Sequence, residues 1–581
     1  MGKLQNSVIL PLCLAAACNC GCGRSVTVKT QDSQKEKSDL ILIDQVGYAP
    51  TASKIALIRT AAGQFDIVDT KTGKTVFTGE TGKPEYWQYS GDTVRTADFT
   101  SVVTPGKYRI CIKDKDICSF DFSIGNHLYS DVVRASVKAL YLNRSGFPIT
   151  EEFGGKWARP EGHPDTVVLV HESAASKTRP AGTVISSPGG WYDAGDYNKY
   201  IVNSAISVYT MLLAYQLYPE YCDTLTIDIP EKNNDLPDAI DEILFNLRWM
   251  LTMQDPGDGG VYHKLTNKEF GGFIMPDQAT TPRYVVQKTT AASLDFAASM
   301  AMASRVFAND KHDELKKLSP VCLEAAVKAM KWAEANPDVA YRQPSDIKTG
   351  EYGGSDNRDE LFWAKTELAL AENNLAGVDP AALALRKPMT QAWGDVEMLG
   401  IFSLALSDNP AFESAQKAAA TVLVRSADIL LEKSNTSAYH VSLDFFKWGS
   451  NSDVANQAMT QILALRLTGD NKYTSSIQGN IDYLLGRNAT GYCFITGIGS
   501  KPPMNLHHRP SGADGVAEPY PGFLVGGPNT VVINDCKGLV KRSTFPAASY
   551  ADSECSYSTN EIAINWNAAL FFVLAAVDAG E

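Results

Sequence analysis

Positive charge is scarce in this chain of 581 residues: 53 Lys and Arg stand against 66 Asp and Glu, a formal net charge of −13. Nucleic-acid phosphates need a basic face, so this balance argues against them as partners and favours neutral ligands. Beyond the N-terminal leader no apolar run reaches the about 18 residues that a membrane span needs. Histidine is also sparse, with 8 residues, and no Cys, His or Glu stands at ligand spacing around the His507-His508 pair, which argues against zinc. The 11 cysteines are spread too thinly for a disulfide scaffold. One pair stands apart: Cys111 and Cys118 bracket the polar stretch 112–117 and can face each other across a hairpin in an oxidising compartment.

The leader has Lys3 as its lone cation, an apolar run from Val8 to Ala17, and Ala15-Ala16-Ala17-Cys18 at its end. It is similar to a bacterial lipoprotein signal, which implies cleavage after residue 17, a lipid on Cys18, and an exported protein at the outer membrane, cell surface or periplasm. Lipid would then be the only membrane attachment. Residues 19–38, rich in Ser, Thr, Lys and Gln, are expected to form a flexible tether.

Over 39–126 the apolar residues alternate with period two between turn signals, which predicts short strands of an immunoglobulin-like β-sandwich. From 127 to 581 the spacing becomes helical. Helices are expected over 130–144, 204–218, 238–254, 290–307, 319–335, 359–372, 396–406, 413–432, 454–468, 475–485 and 561–577. Several are apolar nearly all round and so belong between other helices. The predicted architecture is an all-α (α/α)6 barrel, an inner ring inside an outer ring. The connections 145–203, 254–289 and 486–555 are long, and long loops on a rigid scaffold carry function.

Two carboxylate stretches lie in or beside those loops. Gly190-Trp191-Tyr192-Asp193-Ala194-Gly195-Asp196 places two acids in a tight turn among aromatics, although Asp-x-x-Asp near glycines also suits a self-bonded turn or a calcium loop. Far downstream, Glu561 follows Tyr557 and Asn560 and precedes Ile562, Ile564 and Trp566. An apolar setting would keep that acid protonated, with Asn560 and Tyr557 as its bonding partners. A simpler reading makes Glu561 a first-turn residue facing the helix dipole. Glycoside hydrolysis asks for one carboxylate to deprotonate water and one carboxylic acid to protonate the leaving oxygen. Between the two lies Asn505-Leu506-His507-His508-Arg509-Pro510, and Trp191, Tyr192, Tyr197, Tyr262, Trp393, Trp448 and Tyr520 offer faces for sugar rings.

Taken together, these residues resemble the family 9 glycoside hydrolases, which often carry an N-terminal immunoglobulin-like domain. Asp44-Gln45-Val46-Gly47-Tyr48 is similar to the start of that domain, and the 190–196 stretch to the segment bearing the base. One family signature is met by Tyr550, Asp552, Tyr557, Glu561, Ala563, Asn567 and Ala568. Another is met by Ile495, Thr496, Gly499, Lys501, Leu506, His507 and Arg509, with a departure at Cys493.

The resemblance implies Asp196 as general base, Asp193 as its helper on the attacking water, and Glu561 as general acid. His507 and Arg509 would bind the sugar, with Trp191, Tyr192, His263, Trp448 and Tyr557 as further contacts. It implies inversion and no cofactor for the chemistry. Some members hold a structural calcium at a spacing similar to Ser355, Asp356, Asp359, Glu360 and Asp395, although Asp359-Glu360 also suits a helix start. The expected activity is endo-hydrolysis of β-1,4-glucosidic bonds in a soluble β-glucan such as xyloglucan, by a monomer. Release of short units from a chain end and a non-catalytic glycan-binding protein are the alternatives. No segment resembles a carbohydrate-binding or docking module, which favours soluble over crystalline substrates.

Overall fold

The computed structural model describes residues 39–375 and 378–580. The leader, Cys18 and the tether therefore lie outside the described residues.

Ten short strands open the chain: β1 Ile41–Leu42, β2 Gly47–Tyr48, β3 Ile55–Ile58, β4 Gln64–Asp69, β5 Thr75–Glu80, β6 Glu85–Trp87, β7 Asp92–Asp98, β8 Gly106–Ile112, β9 Ile117–Cys118 and β10 Phe122–Ile124. They form two sheets, β1-β3-β7-β6 and β2-β10-β8-β4-β5, with β9 paired to β8. Inward residues such as Ile58, Phe65, Ile67, Phe99, Ile110 and Phe122 fill the space between them. The expected Cys111–Cys118 disulfide is present, joining β8 to β9 at directly opposed positions.

The Asp44-Gln45 motif faces the second domain. Asp44 Oδ1 caps its own turn by accepting from the Val46 and Gly47 amides at 2.8 and 2.9 Å, while its other oxygen accepts from Tyr129 Oη at 3.2 Å. Gln45 donates to the Gly491 carbonyl and accepts from the Ser500 and Lys501 amides, each at 2.9 Å. Trp87 stacks on Tyr439 with ring centroids 4.4 Å apart. The sandwich is thus locked to the region of the second signature.

Eleven long helices follow: α1 Ser130–Leu142, α2 Ile201–Leu217, α3 Asp238–Thr252, α4 Thr290–Ala308, α5 Asp313–Ala335, α6 Arg358–Ala371, α7 Glu397–Ala405, α8 Glu413–Thr436, α9 Ser450–Thr468, α10 Thr474–Leu484 and α11 Ile564–Asp578. Contacts close a ring in the order α2, α4, α6, α7, α8, α9, α11 and back to α2, with α5 packed on α4, α10 on α9 and α1 on α11. Nearly every residue of α2, α4, α7, α9 and α11 is buried, as expected of helices enclosed by others. This is the (α/α)6 barrel.

Two boundaries differ from expectation. Helix α5 starts at Asp313, upstream of Pro320, which lies inside its third turn. Helix α11 starts at Ile564, so Glu561 lies outside it. The long connections also contain a sheet that the sequence did not announce. Strands β11 Val168–Val170, β12 Val184–Ile185, β13 Lys199–Tyr200, β14 Lys264–Thr266 and β15 Arg283–Val285 pair in the order β12-β11-β15-β14-β13. Each is too short to show alternation, yet β13 fixes the end of the first carboxylate turn.

Candidate active site

The first carboxylate turn rests on buried polar anchors. Gly189 and Gly190 have φ of 79° and 78°, a region where a side chain is strained, and a side chain on Gly190 would run into the Trp249 ring. Trp191 is fully buried and donates from Nε1 to Glu242 at 2.6 Å; Tyr192 is fully buried with its hydroxyl between Gly162 and His163. These two aromatics support the turn from beneath, which corrects their expected role against the sugar. The turn closes through the Asp193 amide on the Asn198 carbonyl at 3.0 Å, and Lys199 below it pairs with buried Asp165 at 2.7 Å.

Both acids are held by donors. Asp193 accepts from Asn203 Nδ2 and Tyr352 Oη, each at 2.6 Å. Burial, with the charge of Asp196, pushes its carboxyl up to about 7 against those donors. Asp196 accepts from Asn198 Nδ2 and, at 3.2 Å, from Tyr200 Oη. Neither is a loose calcium loop.

Glu561 reaches this turn from the other side. Its backbone is extended (φ −77°, ψ 161°), and it lies between His507, in a parallel bridge, and Gly526, whose amide donates to its carbonyl at 2.9 Å. It is therefore not a first-turn helix residue. Its Oε1 accepts from the Gly195 amide at 3.2 Å. Burial raises its pKa well above the usual carboxylate range, the charges of Asp196 and Asp193 raise it further, and the Gly195 amide and Arg509 oppose them. The residue as a whole is only partly buried.

Asn560 and Tyr557 do not bond Glu561 as expected. Asn560 instead accepts from Tyr550 Oη at 2.5 Å and donates to Asp552 at 3.0 Å, bracing the strand. A second disulfide, Cys536–Cys555, and Asp535 brace the same segment; Asp535 accepts from Ser556 Oγ at 2.9 Å and from the Ser558 amide and hydroxyl at 3.1 and 2.6 Å. The even scatter of cysteines hid this crosslink.

One residue, Gly195, is bonded on both sides. The Gly195 amide serves Glu561 while its carbonyl accepts from the Arg509 amide at 3.1 Å and from Arg509 Nη1 at 2.6 Å. A side chain on Gly195 would collide with the His507 carbonyl. Arg509 also donates from Nε to the Gly271 carbonyl at 2.8 Å, so it clamps protein loops, and its expected role as a sugar ligand is corrected to that extent.

His507 is partly exposed and donates from Nδ1 to the Glu554 carbonyl at 2.7 Å, and burial chiefly lowers its pKa. Its ring meets Tyr557 at 5.8 Å, and Tyr557 meets Trp448, 42% exposed, at 5.3 Å. These three are brought together beside Glu561. His263 is not among them: it is buried, both ring nitrogens are bonded within the protein, and it stacks on Tyr341, so its expected sugar contact is corrected. Tyr352, Asn203, Tyr200 and Phe273 belong to the site without having been marked in the sequence, because only the fold brings them there.

The five residues read as a calcium set divide. Asp356 is turned outward onto Arg358, with Nε to Oδ1 at 2.8 Å, and Ser355 is exposed. Among the described residues, no three His, Cys, Asp or Glu side chains converge as a ligand set. Asp359, Glu360 and Asp395 nonetheless share one field: burial and Asp359 push Glu360 up to about 9 and Asp395 up to about 6. Glu360 Oε2 and Asn357 Oδ1 are buried without a partner. As placed, these side chains do not fit the expected calcium set: Ser355 and Asp356 face outward, and the remaining three carboxyls do not converge.

Comparison with known proteins decides the family. Residues 129–574 match glycosyl hydrolase family 9, and residues 36–116 match the cellulase N-terminal ig-like domain. The chain belongs to glycosyl hydrolase family 9. Among its family 9 relatives is a xyloglucan-specific endo-beta-1,4-glucanase of Bacteroides ovatus, 42% identical over 560 residues, covering 93% of this chain and 94% of the relative. Endoglucanase D of Acetivibrio thermocellus is 33% identical over 545 residues, covering 92% and 83%. A solved family 9 structure from Bacteroides ovatus superposes with a TM-score of 0.87 at 42% identity, covering 93% of this chain and 99% of that one.

Proposed function

We propose that the protein is an inverting endo-β-1,4-glucanase acting on a soluble β-glucan, with xyloglucan as its substrate. The observation that carries this reading is the hydrogen bond to Glu561 from the amide of Gly195, the residue just before Asp196. Two carboxyls with different environments are thereby set on one site, which is the requirement for acid-base cleavage of a glycosidic bond. The similarity to a xyloglucan-specific relative over almost the whole chain supports the choice of glucan.

In the proposed reaction Asp196 takes a proton from water, and the water oxygen bonds to the anomeric carbon from the face opposite the leaving group. The bond to the leaving oxygen breaks as Glu561 gives that oxygen its proton. Asn198 and Tyr200 hold Asp196 as an acceptor, and burial, with the charges of Asp196 and Asp193, raises the pKa of Glu561. His507, Tyr557 and Trp448 receive the sugar. No step needs a metal.

We further propose that the chain is exported and anchored by lipid on Cys18, on the strength of Lys3, the apolar run and the small residues before that cysteine. Among the described residues, no helix is long and apolar enough to cross a membrane.

The test is product analysis on xyloglucan, mixed-linkage glucan, glucomannan and soluble cellulose derivatives. An α-anomer as first product and rapid viscosity loss per bond cut are expected, fastest on xyloglucan. Retention of the β-anomer would overturn the inverting mechanism, and slow viscosity loss with short products would overturn endo action.

A further inference from the structure

The loop between β14 and β15 is tied at its base and leans its tip on the site. At the base, Asn267 Nδ2 donates to Thr281 Oγ1 at 2.8 Å and the Asn267 amide donates to Asn198 Oδ1 at 3.0 Å; Asn198 is the residue that also holds Asp196. At the tip, Tyr197 Oη donates to the Ile274 carbonyl at 2.6 Å, and Arg509 Nε bonds Gly271. The Phe273 ring stands edge-on to His507 at 5.4 Å. The Arg509 guanidinium lies over the rings of Phe273 and Phe270, at 5.8 and 5.2 Å. Phe270 itself remains 46% exposed.

A row of flat groups therefore runs from Trp448 through Tyr557, His507, Phe273 and Arg509 to Phe270, with an exposed aromatic at each end. An exposed phenylalanine on a loop anchored by four separate hydrogen bonds is costly to leave in water and is not needed to hold the loop. The C–H face of a β-linked glucosyl unit carries partial positive charge and matches the negative face of such a ring. Continuity with the site makes the substrate chain itself the occupant.

We propose that Phe270 is a second sugar platform, at the end of this row away from Trp448, which binds a glucosyl unit of the same chain that is being cut and so sets which bond is cleaved. This rests on the glucanase reading above. Phe273 and Arg509 are positioning residues that set the height of the platform.

The experiment uses the full chain and two reducing-end-labelled β-1,4-glucosyl oligosaccharides, a trisaccharide and a hexasaccharide. With Phe270→Ala, the ratio of the hexasaccharide KM to the trisaccharide KM should rise roughly tenfold, the equivalent of losing the burial of part of one phenylalanine. The position of the main cut in the hexasaccharide should shift, and Phe270→Trp should restore both. Hexasaccharide affinity measured in a Glu561→Gln background should weaken with Phe270→Ala by a similar factor, which checks the proposal without turnover. An unchanged ratio with an unchanged cleavage map, or undiminished affinity in the Glu561→Gln background, would overturn it. Absence of hydrolysis by the native protein on any β-1,4-glucan would instead overturn the glucanase reading, and the platform with it.

Discussion

Asp196 takes its hydrogen bonds from Asn198 and Tyr200, two and four residues along the same turn. Glu561 is placed by His507, Gly526 and Gly195, and its segment is braced by Asp535 and by a disulfide to Cys536. The proposed base is thus positioned locally and the proposed acid by distant chain. The difference is one of chain entropy: a turn of a few residues orders itself with few partners, whereas an extended strand at the end of a long loop must be tied down from outside.

Several substitutions break or sharpen that contrast. The largest effect is expected at the acids themselves. Asp196→Asn and Glu561→Gln should each lower kcat by about 10²- to 10⁴-fold, with thermal unfolding little changed. Initial rates on xyloglucan beside a melting curve would check this, and retained turnover in either variant would remove the mechanism. Next comes Gly195. Gly195→Ala forces the turn and the His507 strand apart and should cost about 100-fold in kcat/KM, since a displacement of this kind spoils the attack geometry.

A smaller effect should follow from breaking the acid's brace alone. The Cys536–Cys555 bridge spans 19 positions, and a loop of that size is worth about 3 kcal/mol in the chain-entropy account. Cys555→Ser should therefore speed hydrogen exchange over 550–561 and leave 190–200 as protected as before. Equal loosening of both segments would show that the acid and base are held as one unit.

The smallest expected effect is a shift in pH dependence. Glu561 must be protonated to act, so activity falls as pH rises through its pKa, which burial and the charges of Asp196 and Asp193 hold above the ordinary range. Asp193→Asn removes one of those charges, lowers that pKa, and should move the alkaline limb of the kcat profile to lower pH. A limb that stays in place would mean that Asp193 does not act on Glu561 electrostatically.

The same contrast governs what could be read in advance. The turn around Asp193 and Asp196 was legible because Gly189, Gly190, Asn198 and the acids all stand within a dozen positions. The partners of Glu561 were not, since Asn560 and Tyr557 are near in sequence yet serve Asp552, Tyr550 and Trp448 instead. Aromatics misled in the same way. Trp191 and Tyr192 flank the two aspartates but are buried, while Phe273, which carries no signal in the sequence, stands against His507. The strands of the small sheet leave no signal in the sequence because two or three residues cannot display a period.

By itself the amino-acid sequence determined the two domains and the helical and extended periodicities, and it supplied the candidates for acid and base, because each of these is carried by local pattern or by a long signature. Tertiary structure alone decided which oxygen meets which donor: the Gly195 link, the clamp by Arg509, the second disulfide and the row from Trp448 to Phe270. Those contacts join stretches far apart in the chain, and their spacing follows from how the barrel packs.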